Sequence, residues 1–166
     1  MSFPAAVWGS RDHVLTKRLI AFSGTTAGSW MIRKLVPLDL WLYRRTGRYT
    51  VLGPFGVPIM LLTTTGAKSG LARTTPLLYD RVDDDLVVIA SNFGQAHHPA
   101  WSGNLIADPQ AVVTIGGEVV PVVAELLTGD EAQAAFRHMA DDLSTYDAYR
   151  TRTDREIRVF RLRASA

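Results

Sequence analysis

The chain has 166 residues, of which 47% are hydrophobic, 20% are charged and none is cysteine. A chain of this length builds one globular domain with a sizeable core, and the missing thiols exclude disulfides, iron–sulfur clusters, thiolate zinc sites and a cysteine nucleophile. The net charge of +2 is too small to indicate nucleic acid, yet it is uneven: residues 1–50 carry eight Lys/Arg against Asp12 and Asp39, a basic leading third on a mildly acidic body.

In chain order, the start lacks a basic n-region followed by an apolar run, and no segment reaches the length that spans a bilayer. A cytoplasmic protein is the expectation. Residues 13–22 and 29–46 read as helices. The second mixes Trp30, Met31, Leu38 and Trp41 with Arg33, Lys34, Arg44 and Arg45. That mixture suits either a core-packed helix with solvated arginines or a peripheral contact with a membrane surface. Residues 46–58 form a Gly/Pro-punctuated connection.

Short apolar runs between turn residues then predict strands at Ile59–Thr65, Arg73–Arg81 and Leu86–Ser91, with a turn at Asp83–Asp85. Pro99 opens a short helix that Asp108-Pro109 ends. Gly116-Gly117 joins Ala111–Ile115 to Glu118–Leu127 as a hairpin, and Thr128-Gly129-Asp130-Glu131 opens a helix reaching about Asp142. Glu156–Arg163 closes the chain as a strand. Strands in succession argue against a doubly wound parallel sheet. The pattern predicts an α+β fold: a small antiparallel barrel flanked by helices. Residues 1–45 form a basic helical segment packed on the barrel, and 46–166 form the barrel domain that binds a ligand.

Three clusters carry chemistry. In Leu61–Tyr79 a threonine-rich strand turns at Gly66 and Gly70, presenting Lys68 and then Arg73. Such a loop holds phosphate or carboxylate oxygens, or is an ordinary hairpin with solvated charges. It lacks the spacing of a nucleotide P-loop. In Ala90–Leu105, Ser91 and Asn92 end a strand, Gly94 turns, and a helix starts at Pro99 beside Trp101, which packs in a core or walls a flat ring system. The adjacent His97 and His98 lack ligand spacing, so no metal is expected. The third cluster is Tyr146, Tyr149, Arg152 and Arg155, where the tyrosines pack or deliver a proton. No nucleophile–base set is complete, so an enzyme here would take its reactive atom from a cofactor.

Those clusters resemble the deazaflavin (F420)-dependent nitroreductase and quinone reductase family, over about Trp41 to Phe160. The matching pieces are Thr63–Gly70, Arg73, Pro76-Leu77, Ser91-Asn92 with Gly94, His98–Trp101, Asn104-Leu105 and Arg152–Ile157. The resemblance implies a split β-barrel of the flavin-reductase type and the hydride carrier F420. It implies that Lys68 and Arg73 hold the phosphate and acidic tail, and that Thr65, Ala67, Thr74 and Pro76 also contact the cofactor along the adjoining strand and turn. Ser91, Asn92, Pro99, Ala100 and Trp101 would surround the deazaflavin ring. Ser91, Tyr146 and Tyr149 would orient a flat apolar acceptor, a quinone or a nitroaromatic, or supply its proton. Leu78, Asn92, Ser102, Leu143 and Arg152 depart from the nitroreductase pattern, largely on the substrate side, and weaken the nitroaromatic reading. The alternatives are a non-catalytic carrier of F420 or lipid, and an FMN enzyme of the same barrel class.

Overall fold

The computed structural model describes residues 3–4, 18, 21–46, 57–142 and 145–165. The helix expected at 13–22 and the connection at 46–58 fall largely outside them, as does Leu143. Helix α1 (Thr26–Thr46) starts three residues earlier than its apolar pattern suggests. The Thr25 hydroxyl accepts the Gly28 N–H at 3.0 Å, capping the first turn. Gly28 is required there, because a Cβ would meet the Phe22 carbonyl oxygen at 2.0 Å. No helix among the described residues is long and apolar enough to cross a membrane.

Seven strands follow: β1 (Ile59–Thr65), β2 (Ala72–Leu78), β3 (Asp80–Val82), β4 (Asp85–Ile89), β5 (Gln110–Ile115), β6 (Glu118–Leu127) and β7 (Val159–Ala164). A 3₁₀ turn (Asn92–Gly94) and helix α2 (Ala100–Ala107) separate β4 from β5, and α3 (Gly129–Asp142) and α4 (Thr145–Arg150) separate β6 from β7. The strands form one curled sheet in the order β2-β1-β5-β6-β7-β4-β3, every pairing antiparallel. With its flanking helices this is the expected α+β split β-barrel. The hairpin at Gly116-Gly117 forms as expected, with φ of 59° and 90°, values glycine adopts without cost.

Two expectations shift. The run expected as one strand at Arg73–Arg81 breaks at Tyr79, so β2 pairs with β1 and β3 with β4. The last strand begins at Val159, after Arg158, whose carbonyl accepts the Ala90 N–H at 2.8 Å just past the end of β4.

Burial explains why β4 is apolar throughout Leu86–Ile89. Leu86 and Val88 face the barrel interior with Met60, Leu62, Val113, Ile115, Phe160 and Leu162. Val87 and Ile89 face outward under Phe136, Met139, Tyr146 and Tyr149 of the covering helices. A strand covered on both faces loses the alternation of a half-exposed one. Phe160 is 1% exposed, and truncating such a ring costs about 3–5 kcal/mol.

Candidate functional site

Two compartments meet at the mouth of the barrel. The first is an open trough of about 720 Å³ lined by the β1–β2 loop, the start of β2, α2 and the end of α1. Gly66 organises the loop: its N–H donates to the Leu71 carbonyl at 2.9 Å, and its own carbonyl accepts from Gly70 at 2.7 Å. Gly70 has φ of +66°, which lets the loop reverse toward β2. Asn104 of α2, buried to 7% exposure, ties this loop to the barrel. Its amide donates to the Thr64 hydroxyl at 2.9 Å and its oxygen accepts the Ala67 N–H at 3.0 Å. The Thr63 and Thr74 hydroxyls meet at 2.9 Å across β1 and β2.

Arg44, Lys68 and Arg73 line this trough without any carboxylate among the lining residues. Lys68 and Arg73 are exposed and have no ion-pair partner among the described residues. At the far side of the sheet, by contrast, Arg161 reaches Glu125, Glu131 and Asp85, and Arg163 reaches Glu125 and Asp85. Three cations with no carboxylate among the described residues lining the trough suit an anion.

The second compartment is an apolar cavity of about 220 Å³ between α1, β2 and the 91–93 turn. Thr75 and Trp101 line both compartments, so the two abut. Trp101 is 5% exposed and held by a tilted contact with Phe160 at 5.7 Å between ring centroids. Pro76, Leu78, Ser91, Asn92, Pro99, Tyr146 and Tyr149 line the cavity, and Ala67, Lys68, Arg73, Thr74 and Ala100 line the trough. The expected residues thus divide between two rooms. Thr65 lines neither; it is exposed at the end of β1 opposite Ala72.

The 91–98 loop bends through three consecutive positive φ angles: 48° at Asn92, 57° at Phe93 and 74° at Gly94. For a residue as bulky as Phe93 this conformation costs roughly 1–2 kcal/mol, so its surroundings must over-determine it. Arg155 supplies much of that constraint. Its guanidinium donates to the carbonyls of Ala90 at 3.0 Å, Ser91 at 2.6 Å and Gln95 at 2.9 Å, and lies 3.2 Å from His98 Nδ1. Burial, then the Arg158 and Arg155 charges, holds the His98 pKa below its ordinary value. Asn92 closes the loop from within, donating to the His97 carbonyl at 3.0 Å. Among the described residues no three His, Asp or Glu side chains converge as a metal site would need.

Tyr146 and Tyr149 meet edge to face at 6.1 Å, and Tyr149 meets Phe93 likewise at 5.8 Å. Burial, with the Tyr149 and Asp80 neighbours, raises the Tyr146 pKa strongly and keeps its phenol protonated. Burial also raises that of Tyr149, whose hydroxyl donates to the Ser23 carbonyl at 3.0 Å.

Sequence motifs and charge patterning include Arg44, Asn104 and Arg155 but give them no part in the site, and they do not place the α1 residues Ile32, Val36 and Asp39 there. Arg44 and the α1 trio looked like parts of a surface helix. Periodicity marks the buried face of that helix but not the cavity beneath it. Of the departures, Leu78 and Asn92 stand in the cavity wall, whereas Ser102 is fully buried and bonds the Pro99 carbonyl at 2.9 Å.

The family model described as F420H(2)-dependent quinone reductase matches residues 36–163. The chain belongs to the F420H(2)-dependent quinone reductase family. A Mycobacterium tuberculosis protein named F420H(2)-dependent quinone reductase is 34% identical over 130 residues, covering 76% of this chain and 87% of that relative. Among solved structures, an F420-H2 dependent reductase (FDR-A) superposes with a TM-score of 0.58 at 38% identity, covering 63% of this chain and 93% of its own. A chain solved as a domain-swapped dimer gives 0.59 at 35% identity, covering 76% and 98%. The family match takes in both lining loops, the Asn104 tie and the tyrosine pair. It leaves out the first part of α1.

Proposed function

We propose that the chain is an F420-dependent reductase that passes a hydride to a flat apolar acceptor such as a quinone. The observation carrying this reading is the abutment of a carboxylate-free cationic trough on an apolar cavity, through Trp101 and Thr75. The residues present fit the cofactor. Lys68, Arg73 and Arg44 suit the phosphodiester and acidic tail, with Ala67, Thr74 and the exposed Thr65 alongside. Ser91, Asn92, Pro99, Ala100 and Trp101 suit the ring. Bound F420 supplies the hydride, which is why the chain needs no nucleophile of its own.

The protein's part is then to bind, orient and handle one proton. Arg155 fixes the Ser91 backbone and hence the wall where ring and acceptor meet. Ser91, Tyr146 and Tyr149 line the acceptor cavity and orient its carbonyl oxygen or pass the proton that must accompany the hydride. Leu77, Leu78, Ile89 and the α1 residues Ile32 and Val36 exclude water from that space.

A turnover assay with reduced F420 and menadione tests this reading. Oxidation of F420 at a rate set by menadione is expected; tight binding without oxidation would mean a carrier. A nitroaromatic in the same assay compares the second acceptor class. A yellow protein on purification, with no affinity for F420, would mean an FMN enzyme.

The outer face of α1 supports a peripheral membrane contact. Trp30 and Trp41, 56% and 60% exposed, are about three turns apart and so share a face with Lys34 and Arg45. Co-sedimentation with anionic but not neutral vesicles is the expected result. Loss of that binding in the Trp30→Ser, Trp41→Ser variant places it on this face, and equal recovery with neutral vesicles excludes it.

A further inference from the structure

The roof of the apolar cavity is α1 and the turn before it: Ser23, Ile32, Val36 and Asp39 all line the space. That turn is built to keep one shape. The Thr25 hydroxyl donates to the Phe22 carbonyl at 2.7 Å, and the Ser29 hydroxyl to the Ser23 carbonyl at 2.9 Å. At its far end the helix is held by Tyr43, whose hydroxyl donates to the Thr114 carbonyl and accepts the Gly117 N–H, both at 3.3 Å. At its near end one side chain from α4 and one from the α4–β7 connection reach up to it. Tyr149 donates to the Ser23 carbonyl at 3.0 Å. Arg152 forks, giving Nη1 to the Ser29 hydroxyl at 3.2 Å and Nη2 to the Gly24 carbonyl, while its guanidinium lies 5.7 Å from the centre of the Tyr149 ring.

We propose that Arg152, acting with Tyr149, is a specificity-determining residue for the acceptor: the pair latches the near end of α1 over the cavity and so limits the size of molecule admitted. The proposal rests on the assignment of this cavity to the acceptor. Three observations carry it beyond ordinary packing. Arg152 ties together walls that come from different parts of the chain. It bonds the turn before α1, covers Tyr149, and presses on the strained 92–94 turn so closely that a Cβ on Gly94 would lie 2.8 Å from its own Cβ. Its partners are a hydroxyl and a carbonyl rather than a carboxylate, so the latch holds through directed hydrogen bonds and not through an ion pair. Finally, the atoms that Arg152 and Tyr149 grip, on Ser23, Gly24 and Ser29, precede residue 36, where the family match begins, so the latched end of the roof lies ahead of the segment that match covers.

The absence of cysteine makes the roof directly measurable. Val36→Cys places a sole thiol on the roof's inner face, where a closed latch should slow its reaction with a maleimide in the cofactor-free protein. Adding Arg152→Ala should speed that labelling by about tenfold, the size expected when a charged donor's bonds are lost. Arg152→Lys should recover part of the protection, since one ammonium cannot fork to both partners. The same Arg152→Ala change should raise kcat/KM for a long-tailed naphthoquinone relative to menadione, and leave F420 affinity within about twofold. If Arg152→Ala does not fold, Ser29→Ala removes the hydroxyl end of the latch and should shift labelling in the same direction. Unchanged labelling in a folded Arg152→Ala or Ser29→Ala protein would overturn the latch. Failure of unmutated protein to oxidise reduced F420 with menadione would instead overturn the acceptor assignment while leaving the labelling result in place, so the two failures are distinct.

Discussion

The trough and the cavity share Thr75 and Trp101 but solve opposite problems. The trough is open and presents cations on a short loop whose shape comes from backbone hydrogen bonds and Asn104. Its affinity should be electrostatic, long-ranged and weakened by salt. The cavity is small and apolar, and its walls come from elements far apart in sequence. Its selectivity should come from shape, set by a strained turn, two tyrosines and a roof. One protein can thus hold a highly charged ligand and a greasy one in contact. Apart from the shared Thr75 and Trp101, the polar and apolar demands fall on different side chains.

The sharpest way to separate the compartments is to discharge one of them. Lys68→Ala with Arg73→Ala should weaken F420 binding about a hundredfold at low salt, with the deficit shrinking as salt rises. Fluorescence titration reads this, and menadione KM at saturating F420 should stay nearly constant. Next in size, Asn104→Ala leaves the Ala67 N–H and the Thr64 hydroxyl without their partner. It should cost about 1–3 kcal/mol in denaturant unfolding and loosen F420 binding about tenfold. Tyr149→Phe removes one hydroxyl from the cavity side, and it should alter turnover and acceptor KM severalfold with F420 affinity unchanged. Equal loss of cofactor affinity in that variant would mean the compartments are not independent.

The smallest effect concerns His98. Its folded pKa lies below the ordinary 6.5, so the unfolded chain takes up a proton more readily. The stability it contributes is present above that value and is lost as the pH falls below it. Between pH 7 and pH 5, wild type should lose slightly more in Tm than His98→Gln, since protonation would set a third cation beside Arg155 and Arg158.

Much of the trough was legible because it is local. Gly66, Lys68, Gly70 and Arg73 lie within one hairpin, and two glycines between threonine-rich strands announce exposed backbone and fixed charge. The Gly116-Gly117 hairpin and the short α2 were readable for the same reason. The cavity was only half legible. Ser91, Trp101 and the tyrosines stood out as residue types, but their meeting depends on β4 pairing with β7 and on α1 folding back over β2. Arg152 and Arg155 looked alike in sequence. One grips the roof and the other a loop, and only tertiary structure separates them. Phe93 gave no signal, since nothing in its neighbours requires a left-handed turn there.

The claim that the cationic trough takes the cofactor's charged tail while the abutting cavity takes the acceptor beside the ring is tested most directly by one titration. Cofactor-free protein is titrated with oxidised F420 at several salt concentrations, with and without menadione. Binding at micromolar levels that weakens steadily with salt and is indifferent to menadione is the expected result. Binding that ignores salt, or that menadione displaces, would contradict the account.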